Sequence, residues 1–405
     1  MEQPDKTPID IGGTTLTGIS ASVLYKLRLK YGRNEPVKIF DPYQMLGLVD
    51  EQDVLHFKGD VIGIFNPLTM FGYINENWKS WTMPDRTPAM VSEHFRLTED
   101  EKYYYIHPQG DLGVPPSGNM PKSNGHYFDF IERNSPFSED ELDASLDFGG
   151  QFRIYDDKIL KMFQAQAEHY QRNTDLAMVL MFQGCSIGST SLMYGAGMKQ
   201  VQGIRNLNDW LMAYHLYPQY FKDIFEIQTS AGLKNLELLR QAVGDKPQAV
   251  LISSTDFGTQ RGPLISQEHF REFIVPYYRR VNDWVHKNTK WKTLYHCCGS
   301  MSVFLDDMID CGVDCINPVQ CEAADMDPVM LKEKYGKRIV FWGGGVDSQT
   351  TLAFGSPDDV EAQARQRAGI FSPESGFVFS TVHNIQPTAP MENIERLVQV
   401  IQEGL

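Results

Sequence analysis

Lys292-Thr293-Leu294-Tyr295-His296-Cys297-Cys298-Gly299-Ser300 joins a short apolar strand to a Gly-Ser turn, with metal-ligating residue types at the strand's end. In an extended chain successive side chains face opposite ways, so His296 and Cys298 share one face and Cys297 takes the other. A helical stretch over residues 301–311 follows, then a second apolar run over 314–317. Strand, helix, strand is the unit of a parallel α/β fold.

Outward from this unit, further strands are expected at 37–40, 61–65, 178–182, 250–253, 339–342 and 377–380. Helical patterns lie at 20–31, 50–56, 267–286, 328–335 and 357–371, and the chain closes with an amphipathic helix over 390–402. Eight strands alternating with helices predict a (β/α)8 TIM-type barrel, whose chemistry belongs at the C-terminal ends of its strands. Residues 1–405 are read as one barrel domain. Residues 66–150, rich in Tyr, Trp, Pro and Gly, are expected to be a β-rich and looped insertion after the second strand, capping the barrel mouth.

Apolar residues make up 42% and charged residues 22% of the 405, the composition of a globular chain with a large core. The formal net charge of −15 argues against nucleic acid or an anionic membrane as a partner. No apolar run approaches the roughly 18 residues of a membrane span, and the N-terminus carries no apolar signal core. The six cysteines lack the spacing of a secreted disulfide framework, so a reduced cytoplasmic setting is expected. A homodimer is compatible with this reading.

The residues just past the strands are polar: Asp41, Asn66, Gln183, Asp256, His296 and Cys298, Asn317 and Gln320, Asp347 and Gln349, His383 and Asn384. In a barrel they converge on one cavity. Zinc favours Cys sulfur and His nitrogen, and a catalytic site keeps a position open. His296, Cys298 and His383 are therefore the expected metal ligands, with Asp256 or Asp41 as a fourth or supporting group. Against this stands the reading of Cys298 as a small buried hydrophobe and of the histidines as hydrogen-bonded structural groups. Asp256, Asp41 and Asn317 are the candidates for catalytic roles. Gly343, Gly344 and Gln349 are the candidates for lining a cofactor site, the glycines because they let the backbone pass close to a cavity. No G-K-[ST] follows them, which argues against a phosphate loop. Phe71, Tyr73, Trp78 and Tyr104 of the insertion are candidates for walling an aromatic ring, although ordinary core packing of the insertion explains each of them more readily.

His296-Cys297-Cys298-Gly299, then Gly312-Val313-Asp314-Cys315-Ile316-Asn317-Pro318-Val319-Gln320, Phe341-Trp342-Gly343-Gly344 and Val382-His383-Asn384-Ile385-Gln386 together resemble the uroporphyrinogen decarboxylase superfamily. Within it the likeness is closer to the corrinoid-dependent methyltransferases, including methylcobamide:coenzyme M methyltransferases and the methyltransferases of O-demethylase systems. The resemblance implies a (β/α)8 barrel, Zn2+ at the His-x-Cys pair, and a corrinoid carried by a partner protein. It also implies a small methylated substrate, for which an aryl methyl ether is the best fit. Two departures bear on this. The porphyrin-clamping Arg-Gln-Ala-Gly-Arg segment of the decarboxylases is replaced by Pro36-Val37-Lys38-Ile39-Phe40-Asp41-Pro42-Tyr43-Gln44, a poor clamp for a polycarboxylate. Where the coenzyme M enzymes carry a late Cys, this chain has His383, and one thiolate with two imidazoles suits an oxygen leaving group better than a thiol acceptor. The alternatives are a decarboxylase or lyase acting on a small acid, a methylcobamide:thiol methyltransferase, and a non-catalytic binder of a corrinoid or aromatic ligand.

Overall fold

Alternation along the parallel strands sorts their apolar residues into two layers. Val179, Leu251, Leu294, Cys315, Trp342 and Val378 form an inner cluster. Their neighbours Leu180, Ile252, Tyr295, Ile316, Phe341 and Phe377 belong to a larger outer one, packed under the helices. A strand covered on both faces has no solvent side, and every residue of Val61–Ile64 is accordingly buried.

The computed structural model describes residues 4–133 and 136–405. Seven parallel strands stand side by side in chain order: Val61–Ile64, Ala177–Met181, Ala249–Ser254, Lys292–His296, Cys315–Asn317, Val340–Trp342 and Phe377–Val378. Residues 8–10 bond to both edges of this sheet. Phe379 N donates to Pro8 O at 2.8 Å and Asp10 N to Phe379 O at 2.9 Å, while Asp60 N donates to Ile9 O at 2.8 Å. This segment, and not the expected strand at 37–40, takes the remaining place of the (β/α)8 arrangement.

Val37–Asp41 instead pairs in parallel with Pro88–Val91 and antiparallel with Leu46–Gly47, in a separate five-stranded sheet. Lys38 explains the difference: it is exposed in mid-strand, which a barrel strand covered on both faces does not allow. Residues 66–150 contribute Lys79–Thr82 and Pro88–Val91 to that sheet, and a four-stranded antiparallel sheet from Leu97–Glu99 to Asp129–Phe130. Arg133 ties the end of this region to the loop after Ala177–Met181, donating to Met198 O at 2.8 Å and Gly195 O at 2.6 Å.

The helices follow local signals. Pro357–Phe371 starts at a Ser356/Asp359 capping box with Pro at its first position, and Met391–Glu403 buries Ile394, Leu397, Val398 and Ile401 on one face. The helix expected over 267–286 is divided, with a π-turn at Phe270–Ile274 just before Pro276, whose missing N–H cannot serve a regular ladder. Among the described residues no helix is long and apolar enough to cross a membrane.

Candidate metal centre

His296 stands two residues beyond Leu294 and so continues the inner face of its strand. Its Nδ1 lies 2.7 Å from Asn317 Oδ1, and Asn317 Nδ2 donates to Trp342 O at 3.0 Å. The Trp342 carbonyl accepts only, so it fixes which end of the Asn317 amide faces His296. The Asn317 oxygen then requires a proton on Nδ1, so Nε2 is the nitrogen whose lone pair a metal would take. That Nε2 lies 3.2 Å from Cys298 Sγ and 3.7 Å from Asp256 Oδ1.

Cys298 is placed by the crossing of two loops. Its N–H donates to Asp256 Oδ1 at 2.8 Å, and Gly299 N donates to Gln320 Oε1 at 2.8 Å. Gly258 and Gly299 permit the crossing: a Cβ on Gly258 would stand 2.7 Å from Cys298 O, and one on Gly299 2.6 Å from the Gly258 carbonyl carbon. Cys297 turns outward into the outer core, where its sulfur accepts from Phe257 N at 3.3 Å.

His383, from the loop after the last strand, completes the group. Its ring lies edge-on to His296, centroids 5.9 Å apart, and the ligand atoms of His296, Cys298 and His383 all fall within 4.8 Å of one another. Burial, then the adjacent His296, pulls the His383 imidazolium down to about 4, so the ring is neutral at pH 7. Burial, then the Asp256 carboxylate, pushes the Cys298 thiol well above its ordinary range. Two imidazoles and one thiol that becomes a thiolate on metal binding form a three-ligand set with a position to spare, which fits zinc.

The three residues open onto a cavity of about 740 Å³. Asp41, Asp256 and Gln349 also line it, whereas Asn317, Gly343 and Gly344 do not. Asn317 is fully buried behind His296. The glycines pack beneath it, where a Cβ on Gly343 would lie 3.3 Å from Asn317 Nδ2 and one on Gly344 2.8 Å from Val319 O. Gln349 bonds to Gln260 at 3.1 Å on the rim. None of Phe71, Tyr73, Trp78 and Tyr104 lines the cavity; Phe71 and Tyr73 are core residues, and Lys38 and Lys122 sit over the rings of Trp78 and Tyr104. Its aromatic walls are Phe40 and Phe65, with ring centroids 4.3 Å apart, together with Tyr43, Tyr127, Phe152, Tyr155 and Phe182. Thr15, Leu16 and Arg153 also reach it from irregular segments that carry no periodic signal.

The Uroporphyrinogen decarboxylase (URO-D) profile matches residues 129–404. The chain belongs to the uroporphyrinogen decarboxylase family. A uroporphyrinogen decarboxylase from Azoarcus sp. (strain BH72) is 20% identical over 292 residues, covering 66% of this chain and 80% of that protein. The methylcobamide:CoM methyltransferase MtaA from Methanosarcina barkeri is 27% identical over 185 residues, 45% of this chain and 49% of that protein. The chain thus matches about half the length of this methyltransferase relative. A solved methyltransferase from Methanosarcina mazei superposes with a TM-score of 0.55 at 16% identity, covering 99% of this chain and 95% of that one, a likeness of fold. In this URO-D family member the matched segment carries Asp256, His296, Cys298, Asn317 and His383, whereas Asp41 lies ahead of it.

Proposed function

We propose that this chain is a zinc-dependent methyltransferase that takes the methyl group of an aryl methyl ether and passes it to the Co(I) corrinoid of a partner protein. The observation that carries the reading is the approach of the His296, Cys298 and His383 ligand atoms to within 4.8 Å at the wall of the cavity. A volume of about 740 Å³ suits a ring-bearing substrate, and methanol or a methylamine would leave most of it empty. The MtaA relative, named for methyl transfer from a methylcobamide to CoM, supports a corrinoid as partner in the transfer, taken here in the opposite direction.

Zinc on this ligand set, with a net charge of about +1, would supply Lewis-acid stabilisation for an oxygen leaving as phenolate, a poor leaving group with a pKa of about 10. The rest falls to the chain. Asn317 keeps Nε2 of His296 free for the metal, and Asp256, through the Cys298 amide, fixes where the sulfur stands. Phe40, Phe65 and Tyr155 give the ring an apolar bed. Residues 66–150 act as a cap, with Leu68, Met70 and Tyr127 helping to exclude water over the site.

Decarboxylation is the second reading, supported by the relatives named uroporphyrinogen decarboxylase. A polycarboxylate would meet Asp41 and Asp256 in the cavity with Arg153 as the one Arg or Lys lining it among the described residues, which disfavours that substrate. The deciding experiment incubates zinc-loaded protein with a Co(I) corrinoid protein and a panel of methoxylated aromatics, following the cobalt spectrum. Cobalt methylation that disappears on chelation is expected. Full activity without zinc, methylation from methanol or methylamines only, or transfer from methylcobamide to an added thiol would replace this reading.

A further inference from the structure

Three side-chain amides from three strand-end loops meet at the mouth of the cavity. Gln260 follows Ala249–Ser254, Gln320 follows Cys315–Asn317 and Gln349 follows Val340–Trp342, and all three line the same cavity as the metal ligands. Gln320 Oε1 accepts Gly299 N at 2.8 Å, one residue from Cys298. A backbone N–H only donates, so the Gln320 amide keeps its oxygen on Gly299 and turns its nitrogen the other way. That nitrogen lies 3.4 Å from Gln349 Oε1, and Gln260 Nε2 donates to the same oxygen at 3.1 Å. Two donors facing Gln349 fix its oxygen inward, and an inward oxygen fixes the Gln260 nitrogen upon it.

This polarity leaves the Gln349 NH2 and the Gln260 side-chain oxygen uncommitted, with no bond to another protein group among the described residues. Both residues are exposed, so a ligand at the mouth can reach them. Their backbones are anchored: Ala324 N donates to Gln260 O at 3.0 Å, and Gln349 N to Asp347 Oδ1 at 3.3 Å, Asp347 itself being buried. A free donor and a free acceptor flanking one amide–amide bond match a primary carboxamide, which brings an oxygen and an N–H of its own and no charge.

We infer that Gln260 and Gln349 receive a peripheral carboxamide of the corrin ring that the partner protein presents, and so set how that ring seats over the metal centre. The inference rests on the corrinoid reading of the proposed function and deepens it by naming the contact on this chain. The corrinoid fits this donor set by its chemistry, because the edge of a corrin ring carries neutral primary amides. A ring held by another protein arrives from outside, where the exposed pair stands, whereas a small substrate occupies the cavity behind it.

The test is equilibrium dialysis of the zinc-loaded chain against dicyanocobinamide, whose periphery carries primary amides, and against heptamethyl dicyanocobyrinate, whose methyl esters accept hydrogen bonds but donate none. Both peripheries are neutral, and the corrin absorbance reports binding. Cobinamide is expected to bind about fivefold or more tightly than the ester, and this ratio is expected to fall about fivefold in Gln260→Met/Gln349→Met, since a contact built on a donor and an acceptor discriminates against a partner lacking one of them. Gln349→Met alone, a change at an exposed side chain, should already lower the ratio, and retained zinc content shows the site intact. An equal ratio in the wild type and the variants, or no binding of either corrinoid to the wild type, overturns the inference. A glutamine-dependent preference for methoxybenzamide over methyl methoxybenzoate, absent with the corrinoids, would assign the carboxamide to the substrate and overturn the corrin assignment. The ratio is read without methyl transfer: a glutamine-dependent amide preference without cobalt methylation removes the methyl-ether reading alone, and cobalt methylation with unchanged ratios removes this inference alone.

Discussion

Asn317 Oδ1 and His296 Nδ1 stand 2.7 Å apart, and the Trp342 carbonyl holds the amide so that its oxygen cannot turn away. A metal-binding imidazole oriented through its second nitrogen owes part of its affinity to that contact. Asn317→Ala is therefore expected to weaken zinc binding by about 10- to 100-fold, measured by competition with a chromophoric chelator. Asn317→Asp, which keeps an acceptor against Nδ1, is expected to restore most of it. Equal affinities in all three proteins would show that the contact plays no part in metal binding.

Zinc uptake should release protons in a defined number. His383 is already neutral at pH 7, being pulled down to about 4, whereas the Cys298 thiol is held well above its ordinary range and must give up its proton. Between about pH 7.5 and 8.5 the zinc association constant is expected to rise about tenfold per unit, with about one proton released per ion. Calorimetry in buffers of different ionisation enthalpy counts that proton. Cys298→Ala should lose both the metal and the proton while keeping the far-ultraviolet spectrum, because the barrel core does not depend on this side chain.

Asp10 sets a pH dependence of a different kind. It is fully buried, accepts Trp342 Nε1 at 2.8 Å, Gly13 N at 3.0 Å and Thr17 Oγ1 at 2.9 Å, and burial nevertheless raises its carboxyl to about 6. The folded protein therefore binds a proton that the unfolded chain, near 3.8, does not hold between those values. Asp10 favours folding progressively more as pH falls from about 7 to 4, and this contribution is lost as pH rises through 6. Relative to Asp10→Asn, the wild type should gain on the order of 3 kcal/mol over that interval, read from urea unfolding at the two ends. A constant difference between the proteins would contradict the assignment.

Gly299 has φ +83°, and an added Cβ would press on Gly258 and Thr259 backbone atoms at 2.6–2.7 Å. Gly299→Ala is expected to destabilise the protein by about 2 kcal/mol and to weaken zinc binding, since relief of the clash must displace the neighbouring Cys298. Thermal unfolding with and without zinc separates the two effects: the stabilisation that zinc confers should shrink in the variant.

Much of this arrangement was legible in the amino-acid order. Buried parallel strands are short apolar runs, so the strands from Val61–Ile64 to Phe377–Val378 fall where such runs occur. His296 and Cys298 follow from two-residue alternation at a strand end, and His383 from the matching position on the last strand. What failed was the first strand, because Val37 and Ile39 look apolar while the exposed Lys38 between them belongs to a sheet with one wet face. The insertion's aromatic residues could not be assigned from sequence for a related reason: a ring buries equally well in a core, as Phe71 does, or in a cavity wall. The wall contributed by Thr15, Leu16 and Arg153 had no periodicity to betray it, and the bond from Asn384 Nδ2 to Gln44 Oε1 joins residues 340 positions apart.

The seam closed by residues 8–10 has a consequence for biogenesis. Pro8 and Asp10 are synthesised about 370 residues before their partner Phe379. At about 5–20 residues per second the opening stave must wait on the order of tens of seconds while its neighbours assemble beside an open edge. Chaperones and proteases therefore meet a sheet with an open edge, which closes only when two segments made far apart in time zip together.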